Sequence, residues 1–224
     1  IDTEYVVYVR VVCDEDVVGD WSEPVWFKTA CESHTPQEYG VFTFSDPSDL
    51  NCWITGMQSG ANTSSLGNNL PTISAGALYM FNTNKTSGAY ATMPMMIVDS
   101  INHYQVSFDA HGGNNTTYLK ELTVGITTNP FDMSTFIEIQ TVDLDQVATV
   151  TDFSTARHYV VRFNNYVGDY DENYGKYITF YSNNKNMANY IYIDNISVDS
   201  IEGCLVPTSI RAKEIDATSI TFQW

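Results

Sequence analysis

NYIYIDNISVDS, residues 189–200, is too apolar and too β-prone to be a loop. Under the two-residue period of a strand, Tyr190, Tyr192, Ile196 and Val198 share one face, and Asp194 stands on that same face. A carboxylate among core positions needs an account. Either a β-bulge or shift of phase turns Asp194 outward, or the carboxylate points inward and has a partner such as a metal ion.

Working outward from this run, nearly every periodic segment alternates in the same way. HYQVSFDAHG sets Tyr104, Val106 and Phe108 on one face, and KELTVGITTNP does so with Leu122, Val124 and Ile126. RHYVVRFNNY follows with Tyr159, Val161 and Phe163, then GKYITFYSNN with Ile178 and Phe180. Turn-forming clusters such as HGGNN, TTNPFD, GDYDENYG and SNNKN separate them. No segment carries a helical stripe of useful length. The expectation is an all-β antiparallel sandwich.

The chain has 224 residues, with 10 Lys and Arg against 27 Asp and Glu, a net charge of −17. That surface repels phosphate backbones and anionic lipids, so no nucleic-acid partner is expected. At 43% hydrophobic there is material for a core, and no apolar run is long enough for membrane insertion as a helix. Only 17% of residues are charged while Tyr numbers 15, a balance that favours a secreted β-protein with polar, uncharged loops. The chain opens at IDTEYVVYV, already inside a strand, which reads as an interior segment of something larger. The four cysteines form no Cys-x-x-Cys pair and fit an oxidising compartment better than a zinc or redox site.

No catalytic constellation is visible. His34, His103, His111 and His158 lie in a linker, at strand ends and in a turn, none beside a nucleophile motif. The carboxylates are too many for any pair to be singled out as a glycosidase dyad. GDYDENYGKYITF alternates Asp169, Asp171 and Asn173, but Tyr174 and Phe180 stand where a calcium loop needs Gly and Glu. It reads as a hairpin turn.

The ends resemble halves of fibronectin type III domains. TEYVVYVRVVCDEDVVGDWSEPVWFKTAC (within residues 1–31) resembles strands F and G, with Tyr5 at the corner-tyrosine position and Ser22 to Pro24 entering strand G. CLVPTSIRAKEIDATSITFQW (residues 204–224) resembles strands A and B, with Pro207 opening and Trp224 closing. Between them, residues 35–203 resemble the jelly-roll modules, relatives of cleaved-adhesin and MAM-like domains, that alternate with fibronectin domains in surface proteins of Bacteroidetes-type bacteria. DLNCWITG, AYATMPMM, VSFDA, LTVGITTNPFDMSTFIEIQTV, YGKYITFYS and YIYIDNISV carry that likeness in order.

The resemblance implies an antiparallel jelly-roll β-sandwich flanked by partial fibronectin strands. It implies a structural Ca²⁺ between the first and last strands, held by Asp194 and an acid after the opening Phe. Ser45 stands at that second position, with Asp46 and Asp49 as substitutes. Carbohydrate-binding jelly rolls stack sugars on exposed aromatics, and Tyr118, Tyr170 and Tyr174 in polar loops are the candidates; most other aromatics are assigned to the core. Fibronectin register puts the partners of Cys13 and Cys204 outside this chain, leaving Cys31 and Cys52 as the internal disulfide, with Cys31–Cys204 as the alternative. The implied role is a non-enzymatic adhesion module of a secreted or outer-membrane-associated bacterial surface protein. Its partners would be a glycan, a host surface protein and the neighbouring domains. An accessory or spacer module of a secreted protease or glycosidase is the other reading.

Overall fold

The computed structural model describes residues 4–14, 17–28, 31–57, 70–82, 88–113, 121–145, 153, 156–166, 177–182, 189–201, 211–215 and 219–223. Two compact units divide the chain, Ile1–Glu32 and Ser33–Trp224. In the first, β1 (Glu4–Val7) and β2 (Val12–Asp14) run out, while β3 (Val17–Val18) and β4 (Val25–Lys28) return. β1 pairs antiparallel with β4 and β2 with β3. Bonds from Ser22 N to Val9 O (2.7 Å) and from Gly19 N to Val11 O (2.8 Å) link the two pairs into one irregular hairpin.

The second unit holds β5 (Ile54–Met57), β6 (Thr72–Ser74), β7 (Ala77–Asn82), β8 (Ala89–Thr92), β9 (Tyr104–Gly112), β10 (Glu121–Thr127), β11 (Ile137–Asp143), β12 (Arg157–Arg162), β13 (Tyr177–Ser182) and β14 (Asn189–Ser200), then β15 (Arg211–Ile215) and β16 (Ile220–Gln223). Strands β5 to β14 form two five-stranded antiparallel sheets, ordered β11-β10-β13-β8-β5 and β12-β9-β14-β7-β6. From β7 to β10 the chain changes sheet at every step. That repeated crossing makes the unit a two-sheet sandwich rather than a meander. β15 and β16 pair as a separate hairpin.

The alternating positions do what their spacing implies. Val106 and Phe108 on β9, Leu122, Val124 and Ile126 on β10, Val161 on β12, and Ile178 and Phe180 on β13 are all buried between the sheets. Phe108 meets Phe180 edge-on at 5.3 Å across the sandwich, and Trp53 packs on Phe44 at 5.5 Å and on Phe180 at 6.3 Å. Each such buried side chain contributes about 1.5–3 kcal/mol of transfer free energy. Gly125 sits at a register shift between β10 and β11, where an added Cβ would lie 2.2 Å from the Ile137 carbonyl.

β14 answers the question its sequence raises. Ile191 and Ile193 face the core, so Tyr190, Tyr192 and Asp194 face away from it. Ile196 and Val198 are also buried, which requires the phase to change between Asp194 and Ile196. The register with β9 shifts there, and Asn195 takes φ 51°. This is a β-bulge with its first residue in the left-handed region. Reading Tyr190 and Tyr192 onto the same face as Ile196 and Val198 is therefore corrected, because one extra residue inverts the alternation.

The bulge is also where the opening segment docks. Phe42 N donates to Ile196 O (2.9 Å) and Ile196 N to Phe42 O (3.0 Å), so the opening and closing segments lie side by side. A one-turn helix, Pro36–Tyr39, precedes this contact. Its start is fixed by Glu38, whose Oε2 accepts from Thr35 N at 2.7 Å and from Thr35 Oγ1 at 2.9 Å.

Candidate functional site

The face of the second sheet that points away from the core is aromatic at one end. On β7, Leu78 and Met80 turn inward and Tyr79 and Phe81 outward. Register places Phe81 opposite Tyr190, Tyr79 opposite Tyr192, and Tyr192 opposite His111. The rings touch: Phe81–Tyr190 at 4.7 Å, Tyr79–Tyr192 at 4.8 Å and Tyr192–His111 at 5.2 Å between centroids. Phe153 lies against His111 at 4.7 Å, closing that end of the row. Tyr192 and His111 are buried, while Tyr79, Phe81 and Tyr190 keep part of their surface in solvent. Desolvation, then the neighbouring phenols Tyr192 and Tyr190, push the Tyr79 hydroxyl far above its ordinary range. It stays a proton donor at any physiological pH.

One step along the strands the same face turns polar. Asp194 on β14 stands across from Asp109 on β9, and Asp109 across from His158 on β12. His158 Nδ1 lies 2.8 Å from Asp109 Oδ1, and Asn195 Nδ2 donates to Asp109 Oδ2 at 2.9 Å. Both oxygens of Asp109 are thereby engaged. Oδ1 of Asp194 is sealed from solvent and has no hydrogen-bond donor among the described residues. Desolvation chiefly raises the Asp194 pKa. The Asn195 backbone N–H opposes it, while the charges of Asp109 and Asp49 add to it.

Of the residues expected to hold calcium, Asp194 and Asp49 are close enough for their charges to interact. Asp46 instead caps the 3-10 turn Pro47–Leu50, its Oδ1 accepting from Ser48 N (2.8 Å) and Ser48 Oγ (2.6 Å). Ser45 Oγ pairs with Thr43 Oγ1 at 3.1 Å. Among the described residues no group of three or more His, Cys, Asp or Glu side chains converges to hold a metal. The Asp194–Asp49 pair still fits a hard cation in one respect. A desolvated carboxylate oxygen without a donor, beside further negative charge, is what such an ion would relieve.

Tyr118, Tyr170 and Tyr174 lie outside the described residues. Cys31 and Cys52 are both disulfide-bonded, and Cys13 is a free, exposed thiol. His111 stands at the end of β9, as expected, whereas His158, expected in a turn, is a residue of β12. The aromatic row is not legible from alternation, because Tyr79 and Phe81 in ALYMF and Tyr190 and Tyr192 in YIYI sit in runs with apolar residues at both parities. The usable signal was the split between aliphatic residues at one parity and aromatic residues at the other.

No family model matches the chain, and no curated protein matches it. Among solved structures it is similar to a family 29 carbohydrate-binding module, at 14% identity over 71% of this chain and 88% of that one, TM-score 0.43. It is also similar to the K2 cleaved adhesin domain of Lys-gingipain, at 14% identity over 66% and 88%, TM-score 0.41. CBM4 matches at 11% identity over 68% and 96%, TM-score 0.40. Likenesses this loose say nothing about a ligand for this chain.

Proposed function

We propose that the sandwich is a non-catalytic binding module that takes a saccharide on the outer face of β7, β14 and β9. One observation carries the reading: Phe81–Tyr190 and Tyr79–Tyr192 form a continuous row of rings on the outer face, with Phe81, Tyr190 and Tyr79 keeping part of their surface in solvent. Flat rings with part of their surface in solvent offer a stacking surface to the C–H face of a sugar. The test is a broad glycan-array screen of the whole chain, followed by calorimetry on any hit with Tyr190→Ala. Binding that survives the substitution unchanged would remove the row from the site.

The setting we propose is a secreted or surface-anchored bacterial multidomain protein, with the two ends belonging to fibronectin type III neighbours. The disulfide-bonded Cys31 and Cys52 support an oxidising compartment. A blank array would favour the accessory or spacer role, or a host surface protein as partner.

A calcium ion at Asp194 and Asp49 is a second proposal, favoured by the unpaired Oδ1 of Asp194. Backbone carbonyls would have to complete the coordination. Calorimetric melting with and without chelator tests it directly.

A further inference from the structure

Each sheet ends on one side in an edge strand, β11 in the first and β12 in the second, and an open groove of about 460 Å³ runs between them. The hydroxyl of Tyr159 on β12 donates to the Asp143 carbonyl at the end of β11 (2.8 Å), tying the two edges together. The polar lining consists of four carboxamides, Gln105, Gln140, Asn164 and Asn165. Val160 and Ile139 give it apolar surface, and Arg162 carries its single formal charge.

That charge is out of keeping with the chain. With 27 acidic residues against 10 basic ones, a groove whose described lining residues include Arg162 and no carboxylate is unusual here. The acid in register with it is Asp199 on β14, on the far side of Gln105. Arg162 stands directly across from Gln105 in the β12–β9 register, and its Nε donates to Gln105 Oε1 at 3.2 Å. The bond orients the guanidinium plane while using one of its five donors. Among the described residues the ion pairs join a histidine to a carboxylate, and none involves Arg162.

We propose that this groove binds a carboxylate-bearing saccharide, an acidic pyranose of the uronate class. The fork of a guanidinium matches a carboxylate in two parallel bonds. Each carboxamide is both donor and acceptor, as is each sugar hydroxyl, so four of them around one arginine suit a polyhydroxylated acid. The exposed Val160 side chain and the half-buried Ile139 offer contact to the C–H face of the ring. A polyphosphate would bring far more charge than one arginine can answer against a net −17. The site is independent of the aromatic row. It shares no residue with that row, and Gln105 lies six residues before His111 on β9, about 20 Å at ~3.3 Å per residue.

The experiment is an NMR titration of the whole isotope-labelled chain with D-glucuronate, D-glucose and N-acetylglutamate. Glucuronate should shift the Arg162 Nε–H and the groove carboxamides, with affinity at least about ten-fold above both other probes and reduced at about 0.5 M NaCl. Arg162→Gln should erase the advantage of glucuronate over glucose. Equal responses to glucuronate and glucose would overturn the role of Arg162. An equal response to N-acetylglutamate would overturn the saccharide class and leave a general carboxylate site. No shift up to roughly 50 mM glucuronate would overturn the site itself. The wild-type titrations decide the matter even where Arg162→Gln folds poorly. A negative result here would leave the aromatic face untouched.

Discussion

Asp194 faces Asp109 directly across the β14–β9 pair, two carboxylates at one register position on the same face of the sheet. Directly opposed like charges destabilise a strand pair. The arrangement persists because His158 and Asn195 hold Asp109, while Asp194 absorbs the cost through a raised pKa. A carboxyl whose folded-state pKa is raised binds its proton more tightly folded than unfolded. Its contribution to stability is fully present below the ordinary value of 3.8 and is lost as pH rises through the raised value.

Asp194→Asn should therefore raise the melting temperature at pH 7 in chelator by about 2–4 °C. The difference from wild type should shrink to nothing as pH falls below about 3.5. Carboxylates held below their ordinary range, such as Asp46 and Asp132, act with the opposite sign in both proteins and cancel in the comparison. Calcium should stabilise the wild type and not the variant if the ion sits at Asp194. Equal calcium responses would place the ion elsewhere than at Asp194.

The bulge makes a second prediction. Asn195 holds φ 51° and bonds Asp109 through its side chain. Asn195→Gly keeps the backbone geometry and loses only that exposed hydrogen bond, a cost of under about 1 kcal/mol. Asn195→Val forces a β-branched residue into the left-handed region and should cost about 2–3 kcal/mol. Urea unfolding of the two variants checks the ordering. A valine variant as stable as the glycine one would place the phase change elsewhere.

This residue also marks where the sequence stopped being legible. The fold could be read because β9, β10, β12 and β13 alternate without interruption, so Val106, Leu122, Val161 and Phe180 declare their faces. β14 could not be read that way. Its bulge adds one residue, and the sequence offers no glycine to announce it, only an asparagine that tolerates the same conformation. The same bulge hides the site, because uninterrupted parity puts Tyr190 and Tyr192 in the core and Asn195 breaks that parity. Asp194 was singled out correctly as anomalous, since a carboxylate in a β-prone run is visible whatever the phase.

For the aromatic row, Tyr190→Ala is the informative substitution. Tyr190 is partly exposed and packs on Phe81, so its loss should cost stability only about 1 kcal/mol while weakening saccharide binding about ten-fold or more. Buried Tyr192, wedged between Tyr79 and His111, should instead cost about 3 kcal/mol on truncation. Calorimetric melting beside glycan titration separates the two. If both substitutions cost equal stability and neither alters binding, the row is a packing device alone.

The last prediction concerns the cysteines. Cys31 and Cys52 are both disulfide-bonded while Cys13 is free and exposed, so non-reducing peptide mapping should recover one Cys31–Cys52 peptide and a Cys13 that alkylates without reduction. The bond closes a loop of about 20 residues, which the chain-entropy view values at about 3 kcal/mol through restriction of the unfolded state. That loop contains the one-turn helix Pro36–Tyr39 and Phe42, the residue that pairs with the bulge at Ile196. Reduction should therefore act where the opening segment meets β14. Amide exchange at Phe42 and Ile196 should accelerate on reduction, while exchange in the middle of β10, at Val124, should change only with the global stability. Uniform acceleration at all three amides would show that the bridge stabilises the sandwich as a whole and has no local effect on the opening segment.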